Sequence, residues 1–458
     1  MSRRNSAPRP DTPSLPAPLP HLNLNAAAID IGSTSHFVAV PEGRDTVSVR
    51  EFATFTADLH RLADWLAQCG VDTVVMESTG VFWIPVFELL EQRGFTMLLV
   101  NARHVKNVTG RKSDVLDCQW LQQLHTYGLL NGAFRPDDQI VVLRSYLRQR
   151  AMLVQYASAH IQHMQKALQQ MNVLLHQVVA DITGVTGLKI IHAILEGERD
   201  PQRLAMLRDY RCKHSVAVIA QSLEGNYRPE HLFALQQAVT LYETYQAQIA
   251  ACDQQIEQYL ATFTPVTLEP PPTPAKPRQR TGNPFHFDAH TQLYRLTGVD
   301  LTRIDGIDVA TALTLVSEIG TDMGRWPTVK HFSSWLGVCP GTKKSGGKVL
   351  SSKTQPRANR ATAALRLAAT SLYRSRSALG AYLRRMSAKL GKAQAVTATA
   401  HKLARLVYSL LKHGGEYADA GQDYYERQYR ERVVQTLTRR AKELGFVLVP
   451  DAPQEVVT

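Results

Sequence analysis

The chain has 458 residues, 44% hydrophobic and 20% charged, with 52 Lys/Arg against 40 Asp/Glu. Such a composition belongs to a globular chain of two or three domains, and no apolar run approaches the roughly 20 residues of a membrane-spanning helix. The five cysteines (Cys69, Cys118, Cys212, Cys252, Cys339) include no Cys-x-x-Cys pair, which excludes a zinc ribbon or a disulfide framework and suits a reducing cytosol.

Residues 1–24 are rich in Pro and Ser, carry Arg3 and Arg4 and hold no apolar stretch, so they read as a disordered tail rather than a signal peptide. From Asn25 to Val40 the pattern predicts a strand, a turn and a second strand. A helix follows from about Asp58 to Cys69, a strand from Val71 to Glu77 and a helix from Phe82 to Arg93. Another strand spans Phe95 to Val100, and a helix that Ser113 can cap spans Ser113 to Leu124. Strands alternating with helices predict an α/β layer over residues 25–145.

The period then changes. Val154, Ala157, Ile161, Met164, Leu168, Met171, Leu175 and Val178 step by three and four, as do Leu232, Leu235, Val239, Tyr242, Gln246, Ile249, Asp253, Ile256 and Leu260. This is the rhythm of a coiled-coil seam, predicting a helical region over 146–264 whose arms pair either with each other or across a dimer. Residues 265–290 form a Pro-rich linker. Within it His286 and His290 have helical spacing but no obvious acid partner, and read as surface histidines. Residues 291–420 predict a basic, mostly helical domain. Leu301–Gly320, with Gly306 in its turn, is a candidate helix-hairpin-helix whose backbone amides can grip phosphate, or else a plain helical hairpin. Ala361–Leu372 and Val396–Leu411 read as basic helices, and 421–458 as a peripheral helix and tail.

Charge is uneven along the chain. Between Met323 and Gly415, 93 residues hold 18 Lys/Arg and no Asp or Glu; removing those 18 leaves 34 basic residues against 40 acidic ones elsewhere. Concentrated cations without carboxylates suit a phosphate-facing surface, the plain alternative being a solvated basic face. Near its start lie Lys343, Lys344, Ser345, Gly346, Gly347 and Lys348, with Lys353, Arg357 and Arg360 beyond. A hydroxyl among lysines and glycines is placed to meet a phosphodiester, and glycines permit close backbone approach. Ser333 and Ser334 read as a helix start, Ser351 and Ser352 as alternative nucleophiles, and Trp326, Trp335 and Tyr373 as core residues rather than base-stacking platforms.

Four acids stand out in the first segment. Asp30 lies in the first strand, Glu77 ends a later one, and Asp114 and Asp117 are three apart on a helix. Singly each is an ordinary turn or surface acid. Together, hard oxygen donors of this kind suit Mg²⁺ or Mn²⁺ and fit a ribonuclease-H-like nuclease core, with Lys112 beside them to hold phosphate.

These pieces resemble the DEDD transposases of insertion sequences, which are bridge-RNA-guided recombinases. The resemblance is carried by Ala28–Gly32, Met76–Gly80, Lys112–Asp117 and Trp335–Pro340 leading into Ser345–Lys348, and in the middle by Asp181–Gly187, Gly197–Pro201 and Glu230–Phe233. It implies a RuvC-like N-terminal domain, a coiled-coil middle and a C-terminal transposase domain. It also implies that Asp30, Glu77, Asp114 and Asp117 hold the metal and that Ser345 is the nucleophile. By the same resemblance the partners are target and donor DNA, a guide (bridge) RNA, and further copies of the chain in a homodimer assembling to a homotetramer, with no membrane. The setting it implies is the cytoplasm of a bacterium, at the nucleoid. The competing expectations are a metal-dependent structure-specific nuclease or junction resolvase without a covalent intermediate, and a nucleic-acid-binding scaffold.

Overall fold

The computed structural model describes residues 20–78, 80–101, 114–273, 283–354 and 359–449. The chain divides into two compact units, Met1–Arg135 and Pro136–Thr458. Among the described residues no helix is long and apolar enough to cross a membrane.

The first unit is built on a five-stranded sheet of order β3-β2-β1-β4-β5. Its strands are β1 (Ala26–Ile31), β2 (Ser35–Ala39), β3 (Val49–Ala53), β4 (Thr73–Glu77) and β5 (Thr96–Val100). β1, β2 and β3 pair antiparallel, while β1, β4 and β5 run parallel. The parallel strands need crossovers, which helices α1 (Thr56–Gln68) and α2 (Trp83–Gln92) supply. Their residues Leu62, Leu66, Val86, Phe87 and Leu90 bury one sheet face with Ala27, Ile29, Val74 and Met76. The other face, from Ala28, Ala39, Val75 and Val100, packs on Cys118 and Leu121 of α3 (Asp114–Thr126). Cover on both faces explains why β1 is apolar without alternation. Its alanines on the α3 side permit close approach, and the Cys118 thiol donates to the carbonyls of Ala28 and Phe37 at 3.2 and 3.1 Å. The sequence pattern missed β3, whose residues alternate only weakly because it is a half-exposed edge strand.

The second unit is mostly helical. Helices α4 (Asp138–Gln170) and α9 (Pro229–Leu260) lie antiparallel along their lengths. Tyr259 donates to the Gln139 carbonyl, Cys252 to that of Tyr146, and the Tyr156 and Tyr245 rings meet at 5.8 Å. The two seams therefore pair within one chain. The first arm starts well before Val154 and ends at Gln170, not Val178, because Asn172 turns left-handed at φ 57° and the chain leaves the helix. Between the arms lie the short helices α5 (Leu175–Val178), α6 (Val185–Leu195), α7 (Pro201–Met206) and α8 (Val216–Ser222).

The seam carries a buried charge. Asp253 is fully buried and receives Arg150, itself nearly buried, together with His286 at 2.7 Å. Arg150 also donates to the carbonyls of Asn283 and Pro284 and stacks 3.9 Å from the Phe285 ring. His286 thus has an acid partner, as does His290, which meets Asp300 at 3.0 Å. His286 is exposed as expected, but both histidines have a carboxylate partner, which for His286 comes from the distant α9.

The C-terminal helices are α10 (Ala289–Thr297), α11 (Val309–Ile319), α12 (Val329–Trp335), α13 (Arg360–Ser371), α14 (Ala378–Leu390), α15 (Lys392–His413) and α16 (Gly421–Glu443). A single 3-10 turn, Leu301–Arg303, precedes the Gly306 turn instead of a helix. A Cβ on Gly306 (φ 89°) would stand 2.6 Å from the Ala368 carbonyl of α13. The Gly306 turn therefore packs closely on α13 just ahead of α11. Trp326, Phe332, Trp335 and Tyr408 form one ring cluster, as expected of core aromatics. Ser333 lies within α12, fully buried, and does not start it. Between α12 and α13 stands a two-stranded ribbon, β6 (Lys343–Ser345) and β7 (Lys348–Ser351), closed at its base by a Pro340–Thr354 bridge.

Candidate functional site

In the first unit the sheet places the acids. The β1–β4 register runs to Ile29 opposite Met76, so Asp30 and Glu77 follow one step on, at neighbouring strand ends about 4.8 Å apart. Alternation puts Asp30 on the face of Ala28 and Glu77 on that of Val75, the face that α3 covers. The α3 helix descends β1 in the opposite sense, since Gln122 donates to the Ala26 carbonyl and Cys118 to that of Ala28. Four helical residues rise about 6 Å and two strand residues about 6.6 Å. One more turn back along the stripe of Leu121 and Cys118 is Asp114, level with Asp30. Asp117 lies beside it in the same first turn.

Both α3 acids are exposed, whereas Asp30 and Glu77 are half-buried. Burial pushes the Cys118 thiol up to about 12, and the charge of Asp30 adds to the effect. This thiol is accordingly a neutral packing group below the acids. Among the described residues no three His, Cys, Asp or Glu side chains stand close enough to hold a metal ion. What the fold provides is two carboxylates at adjoining strand ends and two on the facing helical turn, a hard-oxygen set of the type that Mg²⁺ or Mn²⁺ selects. Lys112 lies outside the described residues.

In the second unit the β6–β7 ribbon presents Ser345. It pairs with Lys348, and Gly346 and Gly347 turn between them at φ 52° and 76°. Two consecutive positive φ values are what a tight two-residue hairpin demands, and glycine adopts them without steric cost. Among the described residues a Cβ at either position would meet nothing within 4 Å, so the turn itself is open. Lys343, Lys344, Ser345 and Lys348 are all exposed. Ser351 ends β7, and its Oγ accepts from the Lys353 amide, which ties it to the stem rather than the tip. Arg360 is exposed at the first position of α13, which Asn359 caps; Arg357 lies outside the described residues.

The basic helix expected over Val396–Leu411 is α15, on which Lys402, Arg405 and Lys412, with Ser409, step by three and four and so share a face. His401, beside Lys402, meets the Cys339 thiol at 3.7 Å. Burial, then Arg405 and Lys402, holds its imidazole below the usual range.

Two family models match the chain. Residues 27–173 match a transposase model for the DEDD domain of IS110-type elements, and residues 282–384 match a model described as Transposase IS116/IS110/IS902 family. The first match takes in the sheet, the four acids and the whole of α4; the second takes in the ribbon. No curated protein matches the chain.

Proposed function

Because the chain belongs to the DEDD insertion-sequence transposase family and so acts on DNA, we propose that it cuts and rejoins DNA strands through a covalent bond from Ser345 to phosphate. The observation that carries this reading is the ribbon tip: a serine beside a Gly-Gly turn with open space around it, flanked by Lys343, Lys344 and Lys348. Absent side chains let a DNA backbone reach the hydroxyl, and the lysines neutralise phosphate as it approaches.

Ser345 Oγ attacks phosphorus and loses its proton. The bond from phosphorus to one strand end breaks, and that end leaves as a hydroxyl. A hydroxyl from a new partner then reverses the step, so the ester's bond energy is kept and no nucleotide cofactor is consumed. Serine is a weak nucleophile at neutral pH, which makes charge neutralisation at the phosphate the main requirement. Asp30, Glu77, Asp114 and Asp117 would be the residues to hold Mg²⁺ or Mn²⁺, which would supply charge neutralisation at a phosphate. The strand order β3-β2-β1-β4-β5, with acids at the ends of β1 and β4, supports a RuvC-like reading of the first unit. Guidance by a bridge RNA, and a homodimer assembling to a homotetramer, rest on the family likeness.

The test is to incubate the protein, its RNA and end-labelled DNA with magnesium, denature, and look for DNA migrating with protein. The adduct is expected with the unaltered chain and absent with Ser345→Ala. An adduct that survives Ser345→Ala overturns the serine assignment. Cleavage without any adduct makes the protein a resolvase-type nuclease.

A further inference from the structure

A second cationic feature lies away from the ribbon tip. Pro327, Thr328, Arg405, Ser409, Lys412 and His413 line an open groove of about 320 Å³ between α15 and the segment leading into α12. Three of these residues are basic or protonatable, two carry hydroxyls, and among the described residues no acid lines the groove. Lys412 is held in place: its ammonium donates to the Tyr408 hydroxyl at 2.8 Å and to the Pro327 carbonyl at 3.3 Å. Tyr408 in turn donates to the Trp326 carbonyl. An ammonium has three protons, so one remains for a ligand. Arg405 and Ser409 are exposed on the same helical face.

The cationic stripe continues past the groove. Lys402 lies one turn back along α15, its Nζ 4.0 Å from the centre of the Tyr382 ring. Burial and then the charges of Arg432 and Arg405 hold its ammonium below the usual lysine range. Like charges gathered in this way raise the free energy of the empty surface and favour an anion. The stripe runs about 15 Å from Lys412 to Lys402. At its Lys402 end His401 contacts Cys339, one residue before the bridge that closes the ribbon's stem.

We propose that the groove seats a backbone phosphate of a nucleic-acid strand, and that Lys402, Arg405 and Lys412 lead that strand toward the base of the ribbon bearing Ser345. The direction of the strand rests on the reading of Ser345 given above; the phosphate site does not. DNA and RNA offer the same phosphodiester, so the site takes either the substrate strand or the guide.

The experiment measures binding of the full chain to a fluorescent DNA oligonucleotide and to RNA of the same sequence, across a salt series. In the double variant Arg405→Gln, Lys412→Gln, affinity is expected to fall about tenfold or more, and the slope of log K against log salt to flatten by about one. Ser409→Glu keeps both cations and changes an exposed position, so it guards against misfolding; it is expected to weaken binding comparably by placing a carboxylate in the groove. Loss with DNA alone assigns the groove to the substrate strand, and loss with RNA alone to the guide. Unchanged binding of both nucleic acids by Ser409→Glu overturns the proposal, whatever the double variant does. If the variants lose binding while the unaltered chain forms no covalent adduct, the groove stands and the serine reading falls. Intact binding by the variants beside a Ser345-dependent adduct removes the groove and leaves the serine reading standing.

Discussion

Asp30 and Glu77 stand at the ends of adjoining strands in a sheet covered by helices on both faces, whereas Ser345 stands on a two-stranded ribbon that is exposed almost throughout. A packed sheet fixes the separation of its strand ends to fractions of an ångström. An isolated two-stranded ribbon is marginal by itself, and its position depends on its stem and on what it grips. The fold therefore sets the carboxylates in a rigid frame and the hydroxyl on an adaptable one. That division suits the proposed reaction, in which the Ser345 hydroxyl would follow a DNA strand.

In the second unit the helical pair α4–α9 is joined by the buried Arg150–Asp253 contact, whose removal has the largest expected effect. Arg150→Ala takes the guanidinium from the buried Asp253 carboxylate and leaves it to His286, and is expected to cost about 3 kcal/mol of stability, read from the denaturant midpoint of the full chain. A loss below about 1 kcal/mol would mean that the pair is not the structural clamp described. On the carboxylate side, Asp30→Asn keeps the shape of the strand end and removes its charge. Strand cleavage is expected to drop on the order of 10²- to 10³-fold with an unchanged melting temperature. Full activity would remove Asp30 from the chemistry.

On the ribbon, Gly346→Val forces a branched residue to positive φ where nothing else is touched, a backbone cost of about 1–2 kcal/mol. The adduct should form about tenfold more slowly while global stability holds; normal adduct kinetics would show that the tip geometry is not required. The smallest effect concerns the sheet. His36 and His125 are buried in the first unit, and burial holds both imidazoles below the ordinary 6.5. The unfolded chain takes up protons that the folded one refuses. The stability held by the neutral rings is thus complete above pH 6.5 and is lost as pH falls below it. Melting of the full chain should drop by about a few degrees between pH 7.5 and 5.5, and His36→Gln should reduce the drop; an equal drop in that variant assigns it to other groups.

Much of this was legible in the chain itself. Short apolar runs between turn signals located β1, β2, β4 and β5 with their helices, and three-four spacing marked both arms of the helical pair. The acid-free basic segment marked the ribbon region by charge alone. These signals are local: periodicity reports that an element has a face to bury and charge reports what a surface attracts, and neither depends on the rest of the fold. Only tertiary structure decided what covers each face. It paired the arms within one chain, brought Asp253 to His286, and packed the Gly306 turn against α13. It also set Asp30 and Glu77 at adjoining strand ends and aligned α15's cations along one groove. Each of these joins residues far apart in sequence or reads a helical face against its neighbours, and such pairings are selected by packing and desolvation in three dimensions, which a linear pattern does not encode.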